Sequence, residues 1–315
     1  MKKLILTAAA AMMVLASCTK TKVESIDGPK EIAFKKIEGA MTKAPQDLGT
    51  GIAMGVYAIN HATPTTYYFE NVSFAHNNGA WVANPSQYWP LSDALDFVVY
   101  APHHASNSSY DQPNKTISYT ITGNPQTDYM YGEHYYDNDS DYASDPAGDG
   151  YTKRTTSIPV NLIHALAKIT VNIQLGDGAT EESIKVKSLI LEDTKQNGTI
   201  TYNYSSKAQT NEPATEPNKY DLDFITPSPL TVPSSTASPY TKSFLVFPGQ
   251  NKIDFTLTYT LGENTYELNE TLDTGDGQWA QATNYIYDIT ITPLEIKFAP
   301  TETPWTPDTS TDFDL

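Results

Sequence analysis

The chain has 315 residues and a formal net charge of −17, with 20 basic and 37 acidic side chains and one arginine, Arg154. That balance argues against nucleic acid as a partner, because phosphate binding needs clustered Lys and Arg. It also argues against an enzyme of anionic substrates, which are usually held by Arg forks. The 21 Tyr and 21 Pro, with abundant Ser and Thr, suit extended chain and turns better than helices.

The N-terminus opens with Lys2 and Lys3, runs apolar from Leu4 to Leu15, and reaches Leu15-Ala16-Ser17-Cys18. A basic start, a short apolar core and small residues before a cut define a secretory signal peptide over residues 1–17. The apolar run is too short to span a bilayer. With Cys at the cut, the pattern resembles a bacterial lipobox, which implies cleavage before Cys18 and diacylation of its thiol. The plainer alternative is an ordinary signal peptide with a Cys nearby. Two acyl chains hold a protein on a membrane stably. Cys18 is the only cysteine, so lipidation leaves no thiol for a disulfide, a metal site or a nucleophile.

From Glu31 onward the pattern is short alternating segments cut by Gly, Pro, Asn and Asp. It predicts strands at Glu31–Ile37, Ile52–Ile59, Tyr67–Phe74, Leu95–Tyr100, Thr116–Ile121, Tyr129–Tyr131 and Ile158–Ile163. A second set falls at Ala167–Leu175, Ile184–Glu192, Thr199–Tyr202, Tyr220–Phe224, Phe244–Phe247, Ile253–Leu261, Tyr266–Leu272 and Tyr285–Thr292. Ile253, Phe255, Leu257 and Tyr259 share one face while Asp254, Thr256 and Thr258 share the other, the period of a half-buried strand. Many short strands without a helical stripe predict an all-β protein of β-sandwiches. Asp137–Lys153 reads as an exposed acidic loop, and Gln209–Pro217 and Thr226–Pro239 as long loops. A domain boundary is expected near His164–Leu166, dividing 44–165 from 166–293.

No constellation of catalytic spacing emerges. Asp137, Asp139, Asp141, Asp145 and Asp149 offer oxygen ligands of the kind calcium takes. Tyr142 and Gly148 occupy the places of the turn Gly and the bidentate Glu of an EF-hand, so a solvated loop is the better reading. His103 and His104 are adjacent, so on a strand they point to opposite faces and do not share a metal. His164 reads as a hydrogen-bonded structural His. There is no G-x-S-x-G elbow, HExxH or phosphate loop. Trp81, Trp89, Trp279 and Trp305 read as core or interface anchors rather than a sugar-stacking platform. No cofactor, metal or enzymatic activity is expected.

The ordered set Thr42-Lys43-Ala44, Gly55-Val56-Tyr57-Ala58, Tyr88-Trp89-Pro90, Leu95-Asp96-Phe97-Val98-Val99-Tyr100-Ala101-Pro102, His164-Ala165-Leu166-Ala167-Lys168-Ile169-Thr170-Val171 and Asn284-Tyr285-Ile286-Tyr287 follows the lipobox. Together they resemble the fimbrillin (Mfa-like) family, the subunits of type V pili on Gram-negative anaerobes. The resemblance spans nearly the whole chain. It implies two transthyretin-like β-sandwich domains in tandem and a pilin shipped as an outer-membrane lipoprotein. It further implies trimming at the cell surface by a trypsin-like protease, which removes the first strand. The strand of another subunit then fills the opened groove, and the polymer supports adhesion. The most studied family members are cut after Arg, whereas the segment here offers Lys43.

On that reading the lipidated segment is 18–43, and the cut falls between Lys43 and Ala44, in a stretch holding Gly39, Pro45, Gly49 and Gly51. The donor arm is 294–315. After Pro293 the chain alternates again, with Leu294, Ile296 and Phe298 on one face, and Trp305 is the arm's expected anchor. The removable strand reads Glu31-Ile32-Ala33-Phe34 and the arm reads Glu295-Ile296-Lys297-Phe298, so each presents Ile and Phe two residues apart. The alternatives are that 294–298 closes the chain's own sandwich, or that the protein is a lipid-anchored carbohydrate binder of a glycan-uptake system. The lipobox carries its own check: labelled palmitate should mark the wild-type chain and not Cys18→Ala, and equal labelling of both would remove the anchor.

Overall fold

A computed structural model describes residues 29–36, 52–91, 93–103, 107–121, 127–132, 157–179, 184–195, 197–214, 218–222, 230–231, 239–250, 252–273, 277–292 and 296–304. Among them every element is a strand. In the first half these are β1 (Ala33–Lys36), β2 (Met54–Asn60), β3 (Tyr67–Asn77), β4 (Ala80–Ala83), β5 (Leu95–Ala101), β6 (Ser108–Asp111), β7 (Thr116–Ile121), β8 (Met130–Gly132), β9 (Ile158–Val160) and β10 (Leu162–His164). The second half supplies β11 (Ala167–Leu175), β12 (Ile184–Thr194), β13 (Gly198–Asn203), β14 (Ala208–Pro213), β15 (Asn218–Leu222) and β16 (Leu230–Thr231). It ends with β17 (Tyr240–Val246), β18 (Lys252–Leu261), β19 (Asn264–Asp273), β20 (Thr283–Ile291) and β21 (Ile296–Pro304).

The first sheet runs β10-β8-β5-β2-β3-β4-β1-β9. Its two end strands are consecutive in sequence, separated only by the buried Asn161. The sheet's ends therefore lie one residue apart along the chain, and the eight strands wrap around a core of Ile32, Phe34, Val56, Phe74, Phe97, Val99, Ile158 and neighbours. In the second half, β17-β11-β20-β21 faces β15-β12-β18-β19 across Ile169, Val171, Leu189, Phe255, Leu257 and Trp279. This is an all-β sandwich, as the alternation of β18 requires: Ile253, Phe255 and Leu257 are buried while Lys252 and Asp254 are exposed.

A further sheet, β14-β13-β7-β6, joins strands from both halves. It covers a tyrosine-rich core of Tyr57, Tyr100, Tyr110, Tyr119, Tyr129, Tyr131, Tyr202 and Tyr204, with Ile117, Ile200, Leu245 and Phe247. This explains why β2 and β5 are buried along nearly their whole length instead of alternating. On β5, Leu95, Phe97 and Val99 feed the first core, while Val98 and Tyr100 feed the tyrosine core. A sheet covered on both faces has no polar face to alternate with.

Three departures from the sequence reading have physical causes. The segment expected as one strand at Ile158–Ile163 is two, because the chain changes neighbours at Asn161. β4 was not expected, although Asn78-Gly79 is a hairpin signal; both residues hold positive φ, at 49° and 85°. β14 lies in what reads as a loop, since Ala208–Pro213 has no apolar face and ends in Pro, which an edge strand tolerates.

The packing generates two expectations. A Cβ on Gly55 would collide with the ring of Tyr100, which is itself held by donating to Asn71 Oδ1 and accepting from Ser108 Oγ at 2.7 Å. Gly55→Ala should cost about 1–3 kcal/mol by overpacking, read as a lower urea midpoint. Burial drives the hydroxyls of Tyr119 and Tyr204 well above the usual tyrosine range, and burial with the neighbouring Tyr100 does the same for Tyr57. A raised folded-state value means the stabilisation is whole below about pH 10, the unfolded tyrosine value, and fades as pH rises above it. The urea midpoint should hold between pH 8 and 9.5 and fall steeply by pH 11, in step with tyrosinate absorbance.

Candidate assembly site

β1 is an interior strand. It pairs antiparallel with β4, Ala33 opposite Val82 and Phe34 opposite Trp81. On its other side it pairs parallel with β9, Phe34 opposite Ile158 and Lys36 opposite Val160. Ahead of it, Glu31 bridges Tyr88, Ile32 N–H donates to Gln87 O at 2.8 Å and Trp89 N–H donates to Lys30 O at 2.9 Å. The backbone from Lys30 to Lys36 is thus tied on both sides. The alternation of Ile32 and Phe34 places both at 0 % exposure, with Ala33 half-buried and Lys35 exposed on the other face.

Phe34 is the hub. Its ring meets Phe74 edge-on at 5.2 Å and Phe97 edge-on at 5.4 Å, and Phe97 meets Trp89 at 5.8 Å. The sequence singles out Ile32 and Phe34, and Trp81 and Trp89 as anchors, but not that Trp81, Ile158 and the Gln87–Trp89 backbone line the place of β1. Tyr88-Trp89-Pro90 was visible as a motif; that its backbone seats the N-terminal strand was not, because the pairing is more than fifty residues away in sequence.

The C-terminal arm lies at home. After β20 the chain returns as β21 and pairs antiparallel with it, from Ile291 opposite Ile296, through Ile289 opposite Phe298, to Thr283 opposite Pro304. β21 ends its sheet, so among the described residues its backbone has one neighbouring strand where β1 has two. Cys18, Lys43, Ala44, Leu294 and Trp305 lie outside the described residues, as do His104 and the Asp137–Asp149 segment.

The other candidates are structural where they are described. His164 is buried, with Nδ1 2.9 Å from the Asp128 carboxylate. His103 Nε2 lies 3.2 Å from Asn71 O. Among the described residues no group of His, Cys, Asp and Glu could hold a metal ion, and no helix is long and apolar enough to cross a membrane. Trp81, Trp89 and Trp279 are at most 5 % exposed and form no open stacking platform.

A family model described as fimbrillin-like matches residues 42–305, and the chain belongs to that family. No curated protein matches the chain. Among solved structures it is similar to a candidate cell adhesion protein of Bacteroides uniformis, at 18 % identity and a TM-score of 0.57, over 89 % of this chain and 99 % of that one. It is also similar to a fimbrial protein of Bacteroides vulgatus, at 15 % identity and a TM-score of 0.53, over 82 % and 94 %. A candidate cell adhesion protein of Bacteroides ovatus matches at 14 % identity and a TM-score of 0.55, over 89 % and 99 %. Membership of the fimbrillin-like family makes the chain a structural protein of the fimbrial kind and not an enzyme.

The geometry sets a graded expectation for the uncut chain. Phe34→Ala should lower stability by about 3–5 kcal/mol and Ile32→Val by about 0.5–1.5 kcal/mol, both as shifts in the urea midpoint. Equal and small effects would mean that β1 is not integral to the first core.

Proposed function

We propose that this chain is a fimbrial subunit exported as an outer-membrane lipoprotein on Cys18, trimmed between Lys43 and Ala44, and assembled with other subunits by strand exchange. The observation that carries the proposal is the position of β1. It is an interior strand, it precedes the Lys43 cut site in sequence, and it brings Ile32 and Phe34 to full burial. A trypsin-like cut after Lys43 severs it from the strands on either side. Its departure leaves β4 and β9 with facing unpaired edges and the pockets of Ile32 and Phe34 empty.

The arm 294–315 of a neighbouring subunit fits that lane. Aligning Glu295-Ile296-Lys297-Phe298 on Glu31-Ile32-Ala33-Phe34 puts Ile296 and Phe298 in the two vacated pockets. Lys297 then falls at Ala33, opposite Val82, where both residues are only half-buried and a long basic side chain can reach water. Exchange is favourable in direction. In main-chain pairing the arm gives up one neighbouring strand, β20, for two. Main-chain pairing supplies affinity and alternate pockets supply register, the strand-addition mode of donor-strand complementation. Leu294 and Trp305 flank the matched tetrad and extend the contact.

Cleavage removes Cys18, so a trimmed chain has no native thiol and an engineered pair reports register cleanly. Val82→Cys with Lys297→Cys should yield ladders of disulfide-linked subunits in oxidised fimbriae, each beginning at Ala44 by N-terminal sequencing. Polymers that form without any intersubunit disulfide from this pair, or that begin at Cys18, would overturn the proposed register or the proposed cut respectively.

A further inference from the structure

We infer that the β13–β14 hairpin is a latch: residues 198–213 of the second half complete the tyrosine core of the first half, and through it the two halves unfold and bear tension as one unit. The hairpin leaves the second sandwich between β12 and β15, which pair at Thr194 and Asn218. It crosses to the first half, where β13 pairs with β7 along its whole length, from Gly198 opposite Ile121 to Asn203 opposite Thr116.

Side chains reinforce the ladder. Ser118 Oγ and Thr201 Oγ1 are 2.9 Å apart, Tyr204 N–H donates to Lys115 O at 3.0 Å, and Gln209 Nε2 donates to Ala165 O at 2.8 Å. The ring of Tyr202 stacks on Tyr131 with centroids 3.9 Å apart and planes 15° apart. A second tie leaves the same half from the turn before β20: Gln281 Nε2 donates to Tyr131 OH at 2.8 Å.

Without the hairpin, β7 would become an edge strand, and Ile117, Tyr119 and Ile121 would lose the cover of Ile200, Tyr202 and Tyr204. Such a loss exposes buried apolar surface in the first half through a change in the second, the condition for one cooperative unit rather than two. The only covalent link between the halves is the strand-to-strand passage at Ala165-Leu166. On the fimbrial reading, tension enters at the β1 lane and leaves by the C-terminal arm, so the latch doubles that passage. The latch itself does not depend on that reading, and its test needs no polymer.

The test pulls the full chain, with Cys18→Ser, between its two ends. The expected result is a single unfolding event whose length covers residues 29–304 at roughly 3.4 Å per residue. Ser118→Cys with Thr201→Cys, oxidised, bridges positions 83 residues apart in sequence. It should shorten that event by the corresponding loop and raise its force, and reduction should restore both. Tyr202→Ala should shift one calorimetric transition as a whole to lower temperature. Two events at independent forces in the unbridged chain, two calorimetric transitions, or a Tyr202→Ala shift confined to one of two transitions would each overturn the latch.

Discussion

The first core is built around a strand that is covalently the most separable part of it. Phe34 sits at the centre of an aromatic cluster with Phe74, Phe97 and Trp89, yet it belongs to a short segment joined to the rest through residues 37–51 alone. Here the sheet pairs β4 and β9 to a strand from outside their own run of sequence, and the wrapped topology through Asn161 leaves that lane nothing else to close on. The same hydrophobic and main-chain demand that holds β1 therefore defines the shape and pattern of anything that replaces it.

The second sandwich presents the complementary situation. Its last strand is an edge strand, so the departure of β21 breaks pairing with one neighbour alone, β20. One end of the chain thus supplies a strand held on both edges and the other supplies a strand held on one, with the same Ile-x-Phe spacing in each. Between them stands the tyrosine core, built by both halves and crossed by the β13–β14 hairpin. Eight tyrosines stand in it beside Ile117, Ile200, Leu245 and other aliphatic residues, and a tyrosine ring buries large area while its hydroxyl can still reach backbone. Tyr119 donating to Met130 O at 2.6 Å is one such reach.

The sequence disclosed the fold class and most strands because period-two alternation survives wherever one face is solvated, as along β18, β20 and β7. It disclosed Ile32 and Phe34 because two apolar side chains at that spacing recur near the other terminus. It did not disclose which strands neighbour β1, since pairing of distant segments leaves no local trace. β14 was invisible for a different reason: an edge strand with neither face in a core carries no hydrophobic period, and Asn211 and Pro213 imitate a loop. The sharing of a sheet between the halves was equally hidden. A boundary read from composition near His164–Leu166 says nothing about a hairpin that returns across it thirty residues later.

The central claim is that β1 leaves a lane which the C-terminal arm of another copy fills. It is tested most directly with chain cut after Lys43 and freed of residues 1–43, to which a synthetic peptide of residues 294–305 is added. One peptide should bind per chain and restore the melting temperature of the uncut protein, and the same peptide with Phe298→Ala should not. A cut chain as stable without β1 as with it, or one stabilised equally by both peptides, would contradict the account.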